Sequence, residues 1–424
     1  MEREFTTNGI KIYADTNEHL HSFCLAFYVR AGSIFETDSN NGITHLLEHA
    51  LFKNINKKYG GKLYEKLSYN GVHFHGRTYK EFVNLYVEGP ANGFDFACEV
   101  LCSVFDELSL TVPELNEEKD RVKLEIREKN ERYTLDYIHS QMIWHGTQVA
   151  RTILGYSKII SKISRKALEE YRSQILTGTN CFFYATGCVT EENIKYLSDC
   201  LDQKKISNSY VQYNNVINPT GSFFNRENLI EVKTRDYYSV RMGFDIDQIK
   251  VDGGVLDAIY SILFTSVNSL FYIHLSENDP LVYSYDSSHD QYDNVGCFMF
   301  DYEVSSKNIE SSISRVLDIF DMLKNGDFNM DASLNYELSS WIVQQDDPED
   351  FNWSMAYYNH ILNTSPVDYS KEKIGRLSVI TKEKIMEASK EIFRRSNLTI
   401  LIGGKKNKIN VENIDKILSR IESR

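Results

Sequence analysis

Asn40-Asn41-Gly42-Ile43-Thr44-His45-Leu46-Leu47-Glu48-His49-Ala50-Leu51-Phe52-Lys53-Asn54 is the stretch on which the reading of this 424-residue chain turns. At about 100° per residue, Ile43, Leu46, Leu47, Ala50 and Leu51 fall on one face of a helix, while His45, Glu48, His49 and Phe52 form a stripe almost opposite. A helix from about Gly42 to Asn54 therefore has two buried-type faces, one apolar and one bearing chemistry. Histidines at i and i+4 stand one above the other and can reach a single ion, which is why zinc helices use this spacing. Glu48 lies beside them, where a carboxylate can take a proton from a water whose pKa zinc lowers to about 7. With 11 histidines in the chain, one HxxEH arises by chance in roughly one such sequence in fifty, so the motif needs further support.

Two nitrogen ligands call for a third protein ligand while one position stays open for water. A second helix opening near Pro113, with Thr111 as its cap and proline in its first turn, carries Glu118 and Glu125 seven residues apart and hence on one face. Either could be that ligand. The stretch ELNEEKDRVKLEIREKNER is rich in both charges, and most of its carboxylates are expected in solvent or in weak i,i+4 pairs.

Outward from these helices, residues 21–30, 73–78 and 82–88 read as strands, and helices are expected near 93–108, 114–131, 134–147 and 165–175. NCFFYATG (180–187) reads as a strand ending in glycine, followed by a helix at 190–203. The pattern stops between Ser207 and Asn228, where Pro219-Thr220-Gly221 follows an asparagine-rich run. The opening grammar then recurs: YYSVRMGFDI (237–246) is a strand, and a helix at 381–394 runs into NLTILIGG (397–404), as 165–175 runs toward NCFFYATG. Mixed strands and helices repeated over such a long period suggest an α+β chain of two similar domains. The expected boundaries are 1–206 for a zinc-binding N-terminal domain, 207–228 for a linker and 229–424 for a metal-free domain of the same fold.

Composition narrows the function. With 47 Lys+Arg against 60 Asp+Glu and a formal charge of -13, the chain is ill suited to nucleic acid, whose phosphates need basic neutralisation, or to anionic membrane surfaces. Seven scattered cysteines without a CxxC pair fit a reducing compartment rather than a disulfide framework. Cys98 and Cys102, four apart, are read as small buried core residues in preference to a metal or redox site. No apolar run suggests a signal peptide or a membrane span, so a cytoplasmic protein is expected.

HLLEH followed by ALFKN, VRAGSIFE before it, and Glu118 and Glu125 with six residues between them resemble the pitrilysin family (M16) of zinc peptidases, the inverzincins. The likeness is greatest to the short subfamily (M16B) that includes the mitochondrial and bacterial processing peptidases. RTILGYSKIISKISRKALEEY (151–171), NCFFYATG and SLFYIHLSENDPLVYSY (269–285) extend it over most of the chain. The resemblance implies two homologous α/β-sandwich domains of the LuxS/mitochondrial-processing-peptidase-like metallohydrolase type. It implies that His45, His49 and Glu125 bind zinc and that Glu48 is the general base. Glu118 joins the catalytic set as an outer carboxylate orienting a ligand histidine or the site water.

In the family a peptide adds as a strand to a sheet edge beside the metal; the matching segment here is Phe74-His75-Gly76-Arg77-Thr78. His75 and Gly76 replace the family's usual Asn and Ala, which touches side-chain contacts but not backbone pairing. A second departure lies in the second half, where the family's Arg precedes a Tyr by seven residues. Tyr283 keeps the Tyr position, whereas Ser276 occupies that of the Arg and cannot supply a charged fork of donors. The expectation is thus a zinc endopeptidase subunit that removes leaders from precursor peptides or degrades short peptides. It would pair as a heterodimer with a similar subunit that supplies the missing Arg. A non-catalytic scaffold or peptide-binding subunit is the alternative.

Overall fold

A computed structural model of the protein describes residues 2–129, 134–209, 211, 226–231, 238–246, 251–292, 296–361, 375, 377–405 and 409–421. These form two compact units, neither continuous in sequence: Met1–Asn130 with Gln148–Val216 and Ile342–Asp368, and Glu131–Thr147 with Ile217–Trp341 and Tyr369–Arg424.

The first unit is built on strands β1 (Arg3–Thr7), β2 (Ile10–Thr16), β3 (Ser22–Val29), β4 (His73–Thr78), β5 (Val83–Pro90) and β6 (Cys181–Gly187), in the order β1-β2-β6-β3-β5-β4. Only β2 and β6 run parallel. Arg3–Thr7 and Ile10–Thr16, to which the sequence reading assigned no element, pair as the β1–β2 hairpin. Its turn is Asn8-Gly9, with φ of 48° and 79°, the positive values that a two-residue hairpin loop needs and that Asn-Gly supplies. Helices α1 (Ile43–Lys58), α2 (Leu63–Asn70), α3 (Phe94–Cys102) and α4 (Val112–Lys129) come from this unit, while α5 (Leu135–Ile143) belongs to the other; α6 (Ser157–Ile160), α7 (Arg165–Ile175) and α8 (Glu191–Asp202) complete the first-half set.

Leu25, Phe27, Leu85, Val87 and Phe183 of the sheet share one buried cluster with Leu46, Leu47, Ala50 and Leu51 of α1 and Cys98 and Leu101 of α3. Burial of each such Leu or Phe contributes roughly 1.5–3 kcal/mol. β3 (SFCLAFYV) is buried along nearly its whole length rather than alternating, because both faces are covered. Part of that cover is α12 (Pro348–Ala356), a helix from late in the chain that packs on β3 and β6. Its Asn352 is 1% exposed and fully engaged. It accepts from the Tyr28 hydroxyl at 2.9 Å and donates to Tyr184 O at 2.9 Å, Thr186 Oγ1 at 3.2 Å and Cys24 O at 3.3 Å.

In the second unit β7 (Arg226–Glu231), β8 (Tyr238–Ile246), β9 (Val282–Gln291), β10 (Gly296–Val304) and β11 (Leu398–Gly404) follow the order β7-β11-β8-β10-β9, with β7 and β11 parallel. Strand for strand this repeats β2-β6-β3-β5-β4, so the expected duplication is real. Helices α9 (Gly253–Tyr260), α10 (Ile309–Asn325) and Lys382–Ile392 pack on this sheet around Phe244, Phe298, Phe300, Phe320 and Phe393; α11 (Met330–Gln344) follows α10. Here the first-half helix α5 contacts β11, and its fifth residue, His139, is fully buried, as Asn352 is at the fifth position of α12. The ring of His139 rests on Gly243, where a Cβ would lie 2.2 Å from it. Of the expected linker, 210 and 212–225 lie outside the described residues and Arg226–Asn228 opens β7. Among the described residues no helix is long and apolar enough to cross a membrane.

Candidate metal centre

α1 begins at Gly42, whose φ of 94° places it in the left-handed region and which offers no side-chain cap. A Cβ there would sit 2.9 Å from Gly155 Cα and Leu154 O, so glycine is required both by backbone angle and by space. The missing cap comes from Glu36, itself 3% exposed. Its Oε2 accepts from Gly42 N and from Asn41 Nδ2, each at 2.7 Å, and its Oε1 accepts from Thr44 N at 2.9 Å. A carboxylate on the first N–H groups of a helix satisfies orphan donors and complements the helix dipole. Glu36 stands in the VRAGSIFE stretch, yet sequence reading assigns it no role, because the donors it meets are a turn away across a loop.

One turn further on, the chemical stripe emerges as the periodicity predicts. His45 is 6% exposed and Glu48 9%. The two imidazole rings lie 4.8 Å apart at 76°. α4 runs beside α1 and brings Glu125 between them: His45 Nε2 is 3.5 Å and His49 Nε2 3.6 Å from Glu125 Oε2. Tetrahedral zinc with bonds of about 2.0–2.1 Å holds its donors roughly 3.3 Å apart, so these separations need only small closure. Among the described residues His45, His49 and Glu125 are the His/Cys/Asp/Glu group whose donors gather within 4.8 Å of one another. Glu118, seven residues back on α4 and 2% exposed, is not in that group; its Oε2 lies 3.7 Å from His49 Nδ1, on the ring's far side.

The electrostatics fit a cation at this point. Burial and the neighbouring His49 depress the His45 pKa to about 4. Burial also pulls on His49, but Glu118, Glu125 and Glu48 outweigh it and hold its pKa near 9. A hydrogen bond from His49 brings Glu125 down to about 2, helped by Lys129 at 2.8 Å. Three carboxylates thus converge on two imidazoles. A dication would offset the carboxylate charge and leave both rings neutral as ligands. Lys53 and Arg121 approach Glu118 Oε1 at 3.7 and 3.6 Å.

β4 is the edge of the first sheet and lies along α1. Phe74, Gly76 and Thr78 point one way from it: the Phe74 ring stacks on Phe52 at 4.2 Å, and the Thr78 hydroxyl donates to Glu48 Oε2. A Cβ on Gly76 would stand 2.5 Å from the Phe52 ring and 2.8 Å from Glu48 Oε1, so the absent side chain lets both approach the strand. Burial raises the Glu48 carboxyl above its ordinary value, against the Thr78 hydrogen bond. A cleft of about 440 Å³ opens here, bordered by Glu48, His49, Phe52, Phe74 and Gly76. His75 also borders it, but its ring turns to the opposite face, stacking on Tyr86 at 4.9 Å with Nε2 3.5 Å from Glu88. Thr78 is a further residue that the sequence reading did not single out; two positions beyond Gly76, it shares that residue's face by strand alternation. In the second unit Tyr283 falls within β9, its side chain outside the described ones, and Ser276 stands half-buried in the helical turn Tyr272–Glu277.

A family model described as insulinase (peptidase family M16) matches residues 12–157, and one described as peptidase M16 inactive domain matches residues 162–334. The mitochondrial-processing peptidase subunit beta of Rattus norvegicus is 27% identical over 194 residues, covering 45% of this chain and 39% of that protein. The probable beta subunit of Arabidopsis thaliana is 26% identical over 190 residues, covering 44% and 36%. These matches span well under half the length of the mitochondrial relatives. An uncharacterized zinc protease, YmxG of Bacillus subtilis, is 24% identical over 301 residues, covering 70% of this chain and 72% of that one. Among solved structures, a protease from Helicobacter pylori superposes with a TM-score of 0.83 at 16% identity, covering 95% of this chain and 99% of that one. The first half of the periplasmic protease PqqL from Escherichia coli does so with 0.78 at 13% identity, covering 100% and 97%. At such identities the structural likeness speaks to the fold.

Proposed function

Since the chain belongs to peptidase family M16, we propose that it is a zinc-dependent endopeptidase subunit acting on peptides, with His45, His49 and Glu125 as ligands, Glu48 as general base and Glu118 as the carboxylate that orients His49. The observation that carries this reading is the approach of both imidazole Nε2 atoms to one oxygen of Glu125, at 3.5 and 3.6 Å, with Glu48 on the same helical stripe. A zinc ion bound there would polarise the scissile carbonyl and acidify the attacking water. Glu48 takes the proton of that water and passes it to the leaving amine. The Thr78 hydroxyl holds one Glu48 oxygen and leaves Oε1 turned toward the cleft. Phe74, His75 and Gly76 offer the backbone of an edge strand, along which an extended peptide is fixed by main-chain hydrogen bonds.

The second unit, with Tyr283 and without an Arg at Ser276, is proposed to work beside a homologous subunit that brings the Arg, in a heterodimer. The fold comparison supports a two-part enzyme: full-length PqqL, a single chain, is matched over 50% of its length by 100% of this one. Substrates are precursor peptides losing a leader or short peptides being degraded, in a reducing, cytoplasmic setting consistent with seven free cysteines.

Glu48→Gln tests the reading. Zinc content should stay near one per chain while peptide cleavage, measured with a quenched peptide in the presence of the partner subunit, falls at least about 10²-fold. Unchanged activity would favour a scaffold or peptide-binding role instead.

A further inference from the structure

The edge strand β4 has a second face. Phe74, Gly76 and Thr78 look toward α1, so the residues that alternate with them, His73, His75 and Arg77, look the other way. On β5, Tyr86 and Glu88 share this outer face: His73 stands opposite Glu88 in register and His75 opposite Tyr86. Residues paired across antiparallel strands hold their Cβ atoms about 4.5–5.5 Å apart, so two imidazoles and one carboxylate are gathered at the rim of the first sheet. His75 Nε2 lies 3.5 Å from Glu88 Oε1, close to the roughly 3.3 Å between donors of a tetrahedral zinc site. The His73 ring is 6.2 Å from that of His75 and within 24° of parallel to it. Against the 4.8 Å between the rings of His45 and His49, His73 has about 1.4 Å further to come, which rotation of an exposed side chain covers.

The surroundings hold His75 and favour positive charge at Glu88. The His75 ring stacks on Tyr86 at 4.9 Å, and the Tyr86 hydroxyl donates to Glu349 Oε1 at 2.5 Å. Arg77 lies over the same tyrosine ring at 5.4 Å and pairs with Glu349 at 3.1 Å, so its charge is answered there and not at Glu88. Burial and the nearby Glu349 raise the Glu88 carboxyl above its ordinary value, with Asp347 adding to the rise and His75 and His73 opposing it. A carboxylate crowded by other carboxylates is stabilised by a cation brought to it.

We propose that His73, His75 and Glu88 form a second transition-metal site, on the face of the sheet edge turned away from α1, taking a borderline divalent cation such as zinc. Two imidazoles and a carboxylate suit zinc, copper(II) or nickel, whereas magnesium and calcium favour oxygen shells. Three protein ligands leave one position to solvent, and the ion ties the outermost strand of the sheet to β5. The site is independent of the peptidase reading, since it shares no ligand with His45, His49 and Glu125.

The test uses the full chain carrying His45→Gln and His49→Gln, which removes both imidazoles of the first site. Equilibrium dialysis against zinc should still load about one ion per chain. Adding His73→Gln, His75→Gln or Glu88→Gln should weaken that binding at least about tenfold, the loss that follows even from disturbing a ligand's support. Zinc, and not magnesium, should shield His73 and His75 from diethyl pyrocarbonate, as located by peptide mass mapping, while the exposed His19 stays reactive. If the double variant does not fold, the wild-type chain carries the same test, losing about one bound zinc per chain on His73→Gln. The proposal is overturned if a folded double variant binds no zinc, if the three substitutions leave zinc binding unchanged, or if zinc leaves His73 and His75 as reactive as His19.

Discussion

Removing the Glu36 carboxylate is the perturbation that tests how α1, the helix of the proposed zinc ligands, is held. Three buried donors converge on it: Gly42 N and Asn41 Nδ2 at 2.7 Å and Thr44 N at 2.9 Å. Hydrogen bonds to a charged acceptor contribute about 1.5–3 kcal/mol each, and a carboxylate at a helix N-terminus adds about 0.3–1 kcal/mol. The sum is not realised in full, since burial raises the Glu36 pKa, which marks a desolvation cost that the substitution relieves. A net loss of about 3–5 kcal/mol for Glu36→Ala is expected, within the range for breaking a buried charged network. Glu36→Gln keeps the shape and one good acceptor but turns an NH₂ toward N–H groups, for a loss of about 1–3 kcal/mol. The assays are urea denaturation of each variant and competition with a chelator for zinc. Because the capped turn leads directly into His45, Glu36→Gln should also bind zinc about 10–100-fold more weakly while its far-ultraviolet circular dichroism is unchanged. A Glu36→Ala chain that loses less than about 1 kcal/mol and keeps its zinc affinity would refute the capping role.

Three further outcomes follow from other contacts. Gly76→Ala should cut kcat about tenfold or more with zinc content unaltered, because its methyl group would meet Glu48 Oε1 at 2.8 Å and misplacing a base is costly; steady-state kinetics check it. Asn352→Leu, which strips four buried hydrogen bonds from the cover of the first sheet, should cost about 2–4 kcal/mol by denaturant titration. Burial and Arg241 depress His139 to about 3. The unfolded chain gains this proton below about pH 6.5 and the folded chain does not, so stability should fall as pH drops from about 6.5 toward 3, by up to roughly 5 kcal/mol. His139→Leu should flatten that slope in acid titrations followed by tryptophan fluorescence.

The chemistry of the first site is legible in the sequence because helical periodicity is local. His45, Glu48 and His49 land on one stripe by spacing alone, and Glu118 and Glu125 share a face of α4 for the same reason. Spacing could not choose between those two glutamates. The choice between them came from family resemblance, and the fold brings Glu125, not Glu118, to both Nε2 atoms. The hairpin turn at Asn8-Gly9 is a local signal too, since Asn-Gly supplies the positive φ angles it needs, but its short flanking strands carry no long apolar run. β9 and β10 were not read from sequence either: β10 (GCFMFDYEV) is buried along most of its length, so it lacks the alternation that marks a half-exposed strand.

By itself the sequence determined the stripe of His45, Glu48 and His49, the α+β class and the duplication, since each rests on a period or motif carried by neighbouring residues. Only the tertiary structure decided which helix covers which sheet: α5, from the first half, lies on the second sheet, and α12, from the second half, on the first. It alone set Glu36 on the start of α1 and Thr78 on Glu48. The physical reason is common to all of these. Each partner is buried by contacts between residues far apart in the chain, and burial depends on what the fold brings near, which no local pattern of residues encodes.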